Sequence, residues 1–195
     1  MKKKLTLQKI IFAFMIAAFM SLATIATFIY FASKKPTLGG DFLATSINGN
    51  WNYSDDAKDL NLLYIGYSKC PDVCPLALSF ASQAFKQLSE KELNRSRFIF
   101  LSVDYDHDTA KAVADYASQF FPSFIGLIGT KTQVDSIVAL FGASYMVETN
   151  AKSYLGYSIA HTDRIFFLNK KGQLIDSLPN PRSADSVTEK IKGLL

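Results

Sequence analysis

The sequence predicts an α/β domain, with a mixed central β-sheet flanked by helices, that follows a single transmembrane helix. Three observations support this prediction. An uncharged apolar run occupies residues 10–32 near the N-terminus. After it, continuous apolar segments typical of buried strands alternate with segments whose apolar residues recur every three or four positions, as in amphipathic helices. Such alternation is typical of a parallel sheet that is covered on both faces, and a closing hairpin adds antiparallel strands.

The apolar run from Ile10 to Ala32 contains 23 residues and no charge. About 20 apolar residues in a helix cross the hydrocarbon core of a bilayer. Four lysines precede the run and two follow it, which favours a cytoplasmic N-terminus. A cleaved signal peptide is the alternative, but its apolar region should span only about 7–15 residues. We therefore expect an uncleaved anchor at 10–32, after a basic cytoplasmic segment at 1–9 and before a tether at 33–40.

The excess positive charge of the chain lies in its N-terminal segment, before the apolar run. The chain has 21 Lys and Arg residues against 17 Asp and Glu residues. Four of the lysines precede the apolar run, which leaves 17 basic against 17 acidic residues after it. Phosphate binding needs a clustered basic excess, so we expect no nucleic-acid partner.

The elements of the domain, residues 41–195, follow from apolar spacing and from residues that begin or end helices. Pro75 and Thr130 suit helix starts, and Gly142 suits a helix stop. The expected elements are a hairpin at 42–53, strands at 60–67, 97–103, 124–128, 143–148, 164–168 and 173–178, and helices at 75–90, from 108 or 109 to about 120, at 130–141 and at 183–194. This order is the thioredoxin-like arrangement with an added N-terminal β-hairpin.

The chain contains two cysteines, Cys70 and Cys74, in the segment KCPDVCP. A disulfide that closes so short a loop removes little entropy from the unfolded chain, so redox chemistry or metal binding explains the pair better. The loop follows the first long strand, and active groups of open α/β sheets collect beyond such strand ends. Pro75 disfavours helical geometry at Cys74, which we expect at the helix cap. The helix N-terminus and Lys69 should favour the thiolate form of the pair.

Two thiolates in one loop are ligands for Cu(I), zinc or an iron–sulfur cluster. A structural zinc site usually has four protein ligands and an iron–sulfur cluster four cysteines, whereas this chain has two cysteines and two histidines. Copper held by two sulfurs and one imidazole fits this inventory better. His161, in a loop before an apolar strand, and His107, in an acidic turn, are the candidate imidazoles. Each is also compatible with an ordinary solvent-facing loop residue.

Several segments together resemble the Sco/SenC family of copper chaperones for cytochrome c oxidase assembly. The similarity covers roughly residues 39–178 and includes, in order, GGDF, YIGYSKCPDVCPLAL, FIFLSVDYDHDT, FIGLIGT and the histidine loop before RIFFLNKKG. The resemblance implies a thioredoxin-like fold that binds one copper ion, Cu(I) or Cu(II), per domain. It also implies that Cys70, Cys74 and His161 are the ligands.

The sequence departs from the family pattern close to these implied ligands. Ala160 stands before the histidine where the family usually has Asp, so a carboxylate that could orient the imidazole is missing. Lys69 stands where His is common, and Tyr105 and His107 replace the Pro and Arg of the aspartate turn. These departures leave the three ligands in place and bear on copper affinity and partner choice.

The resemblance implies delivery of copper to the dinuclear copper site of cytochrome c oxidase, or preparation of the thiols of that site. The implied partners are the copper-bearing oxidase subunit, a copper donor and a thiol reductant. The short basic N-terminus before the anchor suits a bacterial inner membrane better than a mitochondrial presequence, so we expect a single-pass protein with its domain on the outer face of that membrane. The alternative is an enzyme, a thiol-disulfide oxidoreductase or thiol-dependent peroxide reductase that cycles Cys70 and Cys74. A copper-responsive or scaffold protein is a third class. Disulfide exchange has no obvious need for His161, so that residue distinguishes copper binding from redox chemistry.

Overall fold

The computed structural model describes residues 7–33 and 38–195. They belong to two compact units, one that contains α1 (Leu7–Ser33) and one that spans Leu38–Leu195. Within α1, the segment Lys9–Tyr30 has a mean hydropathy of 2.3 and is long enough to cross a membrane. The expected basic segment at 1–9 and the expected tether at 33–40 fall partly outside the described residues.

Within residues 38–195, all of which the structure describes, there are six helices and nine strands. In chain order they are β1 (Leu43–Ser46), β2 (Gly49–Asn52), α2 (Tyr53–Asp56), β3 (Leu60–Gly66), α3 (Val73–Lys86), α4 (Glu90–Arg95), β4 (Ser96–Ser102), α5 (Ala110–Phe120), β5 (Ile125–Leu127), α6 (Lys131–Leu140), β6 (Tyr145–Thr149), β7 (Tyr157–His161), β8 (Arg164–Asn169), β9 (Leu174–Pro179) and α7 (Ala184–Leu194).

The central sheet has five strands in the order β5-β4-β3-β8-β9. β3, β4 and β5 run parallel, whereas β8 pairs antiparallel with β3 and β9 antiparallel with β8. Every residue of β3 is buried, as a continuous apolar run predicts for the middle strand of a covered sheet. This sheet confirms the predicted mixed, helix-flanked class, and β1 and β2 form the predicted N-terminal hairpin.

Two apolar clusters lie on opposite faces of the sheet. Leu62 and Tyr64 of β3 belong to a cluster with residues of α3, α5 and α7. Leu63 and Ile65 belong to the other cluster, with residues of α6 and of the N-terminal hairpin. Successive side chains of a strand point to opposite faces, so β3 contributes to both clusters and fixes the position of its own carboxyl end.

The helix boundaries confirm the predicted starts of α6 and α7 and correct that of α3. Thr130 accepts a hydrogen bond from the Gln133 N–H at the start of α6, and Ser183 caps α7 in the same way. The helix expected at 75–90 occupies Val73–Lys86 instead, and a separate helix, α4, follows it.

The segment Tyr157–His161, expected as a loop, is the strand β7. It pairs antiparallel with β6 in a separate two-stranded sheet, with Tyr145 opposite His161 and Thr149 opposite Tyr157. Four of the five residues of β6 are exposed, so this hairpin lacks the apolar alternation by which a half-buried strand is recognised in a sequence.

Candidate metal centre

The cysteine loop connects β3 to α3. Cys70 is half-buried and its N–H donates to the Tyr67 carbonyl at 3.1 Å. Cys74 is fully buried, and both cysteines are free thiols. The two sulfurs therefore lie at the carboxyl end of the middle strand, where the sequence predicts them.

Cys74 lies in the first turn of α3, not at its cap, which corrects the expectation from Pro75. The cap position is Asp72, whose side chain makes no capping hydrogen bond. A proline is tolerated at Pro75 because the first N–H groups of a helix have no partner within the helix.

His161 is the last residue of β7, and its imidazole reaches the cysteines. Its Nε2 lies 3.3 Å from Cys74 Sγ. The Tyr64 and Tyr67 rings lie nearly perpendicular to the imidazole, with centroids 6.1 and 6.0 Å away. These contacts hold the ring between the sheet and the cysteine loop.

The ligand atoms of Cys70, Cys74 and His161 all lie within 4.8 Å of one another. Donor atoms that bind one ion at roughly 2.0–2.3 Å lie at most about 4.6 Å apart. Two sulfurs and one imidazole nitrogen form a donor set suited to a soft metal ion. The three residues that the sequence singles out are thus brought together at nearly the spacing that metal binding requires.

The two thiols differ in pKa because their surroundings differ. The hydrogen bond from the Cys74 thiol lowers the pKa of Cys70 to about 4, with smaller contributions from His161 and from backbone N–H groups, against the opposing effect of burial. Burial, followed by the interaction with Cys70, raises the pKa of Cys74 well above its usual value. The expectation that both sulfurs favour the thiolate is therefore wrong for Cys74 in the metal-free protein. Metal binding must displace its proton.

The turn between β4 and α5 holds the cysteine loop through a buried carboxylate. Asp108 accepts hydrogen bonds from the Ser68 N–H at 3.0 Å and from the Ser68 hydroxyl at 2.5 Å. The Ser102 hydroxyl donates to the same carboxylate at 2.6 Å, and Lys69 Nζ lies 3.8 Å from it. The sequence gives no signal for these contacts, since the residues are 6 to 40 positions apart.

The second histidine, His107, is not part of the donor set among the described residues. Its Nδ1 lies 2.7 Å from Asp104 Oδ1, and its ring stacks on Tyr157 with the centroids 4.6 Å apart. The Tyr157 hydroxyl donates to Asp104 Oδ2 at 2.6 Å. His107 therefore belongs to a cluster with Asp104 and Tyr157 in the acidic turn where the sequence places it.

A carboxylate that sequence reasoning missed, Asp163, lies two residues after His161. The Tyr64 hydroxyl donates to it at 2.8 Å and Arg182 pairs with it at 2.5 Å. It lines, with Cys70 and His161, a cavity of about 320 Å³ beside the donor set. Ala160 is exposed and lines the same cavity.

Residues 32–195 of the chain are similar to one family of proteins. The SCO1/SenC family model matches residues 32–195. The mitochondrial protein SCO2 of Saccharomyces cerevisiae is 31% identical over 156 residues, which are 80% of this chain and 52% of the yeast protein. The chain thus spans about half the length of this relative.

Solved structures are similar along most of their length. The solution structure of apo Sco1 from Thermus thermophilus is 28% identical with a TM-score of 0.73, and the match covers 82% of this chain and 92% of that one. The copper-bound structure of ScoI from Bradyrhizobium japonicum is 26% identical with a TM-score of 0.71, and the match covers 81% of this chain and 99% of that one.

Proposed function

This chain belongs to the SCO1/SenC family, and from that membership we propose that it is a membrane-anchored copper metallochaperone for the assembly of cytochrome c oxidase. One observation carries the proposal. Three donor atoms from two distant segments, Cys70 and Cys74 in one and His161 in the other, lie within 4.8 Å of one another beside a cavity. A relative of the same fold, ScoI of Bradyrhizobium japonicum, has been solved with copper bound.

Copper is the cargo of this site, and the three residues would hold one ion per domain. Two sulfurs and an imidazole suit Cu(I), and the imidazole also suits Cu(II). Cys70 is already a thiolate at neutral pH, because its pKa is about 4. Cys74 gives up its proton when copper binds, so binding releases a proton and weakens as the pH falls.

Transfer would proceed by exchange of ligands with the thiolates of an acceptor. Cys70 is half-buried whereas Cys74 is fully buried, so Cys70 and His161, which line the cavity, face an approaching thiolate. The acceptor that we propose is the copper-bearing subunit of cytochrome c oxidase with its dinuclear site. A copper donor and a thiol reductant complete the set of partners.

We propose a single-pass membrane protein with its domain, residues 41–195, outside the cytoplasm. The helix Lys9–Tyr30 supports the anchor at 10–32, and the lysines before it favour a cytoplasmic segment at 1–9. Anchoring next to a membrane-bound acceptor raises the effective concentration of the two proteins. A bacterial inner membrane, with a tether at 33–40 leading to a periplasmic domain, fits this arrangement.

A second candidate function is supported by the unequal thiols. Cys70 with a lowered pKa beside a protonated Cys74 is the arrangement of a nucleophile and its resolving thiol. The protein would then reduce a disulfide of an acceptor to two thiols, with Cys70 and Cys74 oxidised to a disulfide, instead of, or before, supplying copper. His161 distinguishes the two functions, since only copper binding uses its imidazole as a ligand.

A copper titration tests the proposal. Full-length protein, reduced and kept anaerobic in detergent micelles, is titrated with Cu(I) against a chromophoric chelator, in parallel with Cys70→Ser, Cys74→Ser and His161→Ala. We expect one copper per wild-type chain, no tight binding in either cysteine variant, and a Kd at least about tenfold higher for His161→Ala, or about 1.4 kcal/mol.

Glu148→Ala is the matched control, because Glu148 is an exposed residue on the same hairpin as His161. We expect it to bind copper like the wild type. The same variants are also loaded with Cu(II) and their absorption spectra recorded. An unchanged Cu(I) affinity and an unchanged Cu(II) spectrum in His161→Ala would remove His161 from the site and leave the redox function as the better account.

A further inference from the structure

We propose that the turn between β4 and α5, residues 104–108, positions both segments that carry the metal ligands, and that Tyr157 is the positioning residue for His161. The inference rests on the proposed copper-binding function, since it concerns the geometry of the same site. It assigns a role to the Asp104–His107–Tyr157 cluster that neither copper ligation nor the core explains.

The strand that carries His161 needs an anchor, because it is not part of the central sheet. β7 pairs with β6 alone, and β6 is mostly exposed. An isolated two-stranded hairpin is only marginally stable in water. The position of His161 relative to the cysteines therefore depends on side chains that attach β7 to the rest of the domain.

Tyr157 supplies such an attachment at the start of the same strand. Alternate residues of a strand share a face, so Tyr157 and His161 project from the same side of β7. The Tyr157 hydroxyl donates at 2.6 Å to Oδ2 of Asp104, a carboxylate that is only 3% exposed. Ile159, between them on this face, is also buried.

His107 completes the attachment from the other side of the carboxylate. Its Nδ1 lies 2.7 Å from Asp104 Oδ1, so both oxygens of Asp104 have partners. The imidazole also stacks on the Tyr157 ring, with an interplanar angle of 19°. Tyr157 is thus held by the hydrogen bond from its hydroxyl to Asp104 and by the stacking of its ring on His107.

The other end of the turn holds the cysteine loop. Asp108 accepts the backbone and hydroxyl hydrogen bonds of Ser68, two residues before Cys70. The Asp108 N–H donates to the Asp104 carbonyl at 2.9 Å, which ties the two carboxylates into one turn. One short segment thereby fixes the histidine strand on one side and the cysteine loop on the other.

A double-mutant cycle tests whether Tyr157 acts through His161. Tyr157→Phe removes only the hydroxyl, and Tyr154→Phe removes the same group from a tyrosine on the same hairpin that is 83% exposed. In full-length protein in micelles we expect Tyr157→Phe to raise the Kd for Cu(I) about tenfold, as loss of a partner outside the ligand shell does, and to alter the Cu(II) spectrum. Tyr154→Phe should match the wild type.

The cycle separates positioning from a general loss of stability. In a His161→Ala background, Tyr157→Phe should cause no further rise in Kd, because the residue through which it acts is gone. An equal rise in both backgrounds overturns the proposal, as does an unchanged Kd and spectrum in the single variant.

A measurement on metal-free protein separates this inference from the proposed function. In hydrogen exchange followed by mass spectrometry, Tyr157→Phe should speed amide exchange in the peptide that contains β7 and leave β3 and β4 unchanged. If the wild type binds no copper but this change is seen, the proposed function fails and the positioning role stands. Unchanged exchange of β7 overturns the positioning role whatever the copper result.

Discussion

Single residues decide how reactive the two thiols are. Cys70 and Cys74 are four positions apart, yet one is half-buried and the other has no exposed surface. Burial disfavours the charged form of a thiol, so the proton stays on Cys74 and the hydrogen bond that Cys74 donates stabilises the Cys70 thiolate. The Cys70 sulfur can therefore bind a metal or attack a disulfide directly. The Cys74 sulfur can do so only after its proton has been displaced.

The difference in pKa predicts how the alkylation rate of each cysteine depends on pH in the reduced, metal-free protein. A thiol whose pKa is lowered to about 4 is a thiolate above that value. Alkylation of Cys70 by iodoacetamide should therefore be nearly independent of pH between 5 and 8 and slow down only as the pH falls towards 4. Cys74 should react far more slowly throughout this range, because its pKa is raised and it is buried.

Peptide mass spectrometry of alkylation rates for each cysteine checks this prediction. Unfolding the protein in urea is the control, because both thiols should then titrate near an ordinary value of about 8.5. A rate for Cys70 that increases through pH 8–9 in the folded protein, as an ordinary thiol does, would contradict it.

At the residue scale, the sequence predicts which groups form the site but not their partners. Cys70, Cys74 and His161 follow from residue type, spacing and resemblance. The contacts of the surrounding carboxylates cannot be predicted in this way. Tyr64 donates a hydrogen bond to Asp163, 99 positions away, and Tyr157 donates one to Asp104, 53 positions away. The raised pKa of Cys74 is also not predictable from the sequence, since desolvation depends on packing that a local pattern does not show.

At the scale of elements, the site depends on close packing of α3 against the end of β3. Gly66 is the last residue of β3, and a Cβ atom there would overlap Cys74 Sγ and lie 3.0 Å from the Phe100 ring. The absence of a side chain at Gly66 thus lets the buried sulfur sit directly on the strand. A larger residue must displace either Cys74 or Phe100.

Gly66→Ala should accordingly lower the free energy of unfolding by about 1–3 kcal/mol, the usual effect of overpacking a core, and weaken copper binding by moving Cys74. Urea unfolding of residues 38–195, a compact unit with its own core, measures the first effect. Gly193→Ala is the control, because no atom lies within 4 Å of a Cβ there and alanine favours a helix. Equal stability of Gly66→Ala and wild type would contradict the packing argument.

Elements with strong local signals are predictable from the sequence, and those without such signals are not. Thr130 starts α6 and Gly142 ends it with a positive φ of 61°, as expected from residue type. The sequence predicts a loop where β7 lies, because the strand that pairs with β7 is mostly exposed and lacks an apolar pattern. The predicted start of α3 is two residues late, because Pro75 suits the first helical position but any position of the first turn accommodates a proline.

At the scale of the whole molecule, the two compact units suit two separate tasks. The helix α1 contains a segment with the length and hydropathy of a membrane span. The unit from Leu38 to Leu195 contains the complete donor set and both apolar clusters. The proposed function uses the first to keep the protein at the membrane and the second to hold copper.

Copper transfer is the measurement that tests the central claim most directly. Full-length protein loaded with copper in lipid nanodiscs is mixed anaerobically with the metal-free soluble domain of the copper-bearing oxidase subunit, its thiols already reduced. We expect copper to leave the Cys70–Cys74–His161 site and to be found in the acceptor when the two proteins are separated and their copper contents are measured. An acceptor that gains no copper from the loaded protein, while an oxidised acceptor is reduced by the metal-free protein, would contradict the account and identify a thiol reductase.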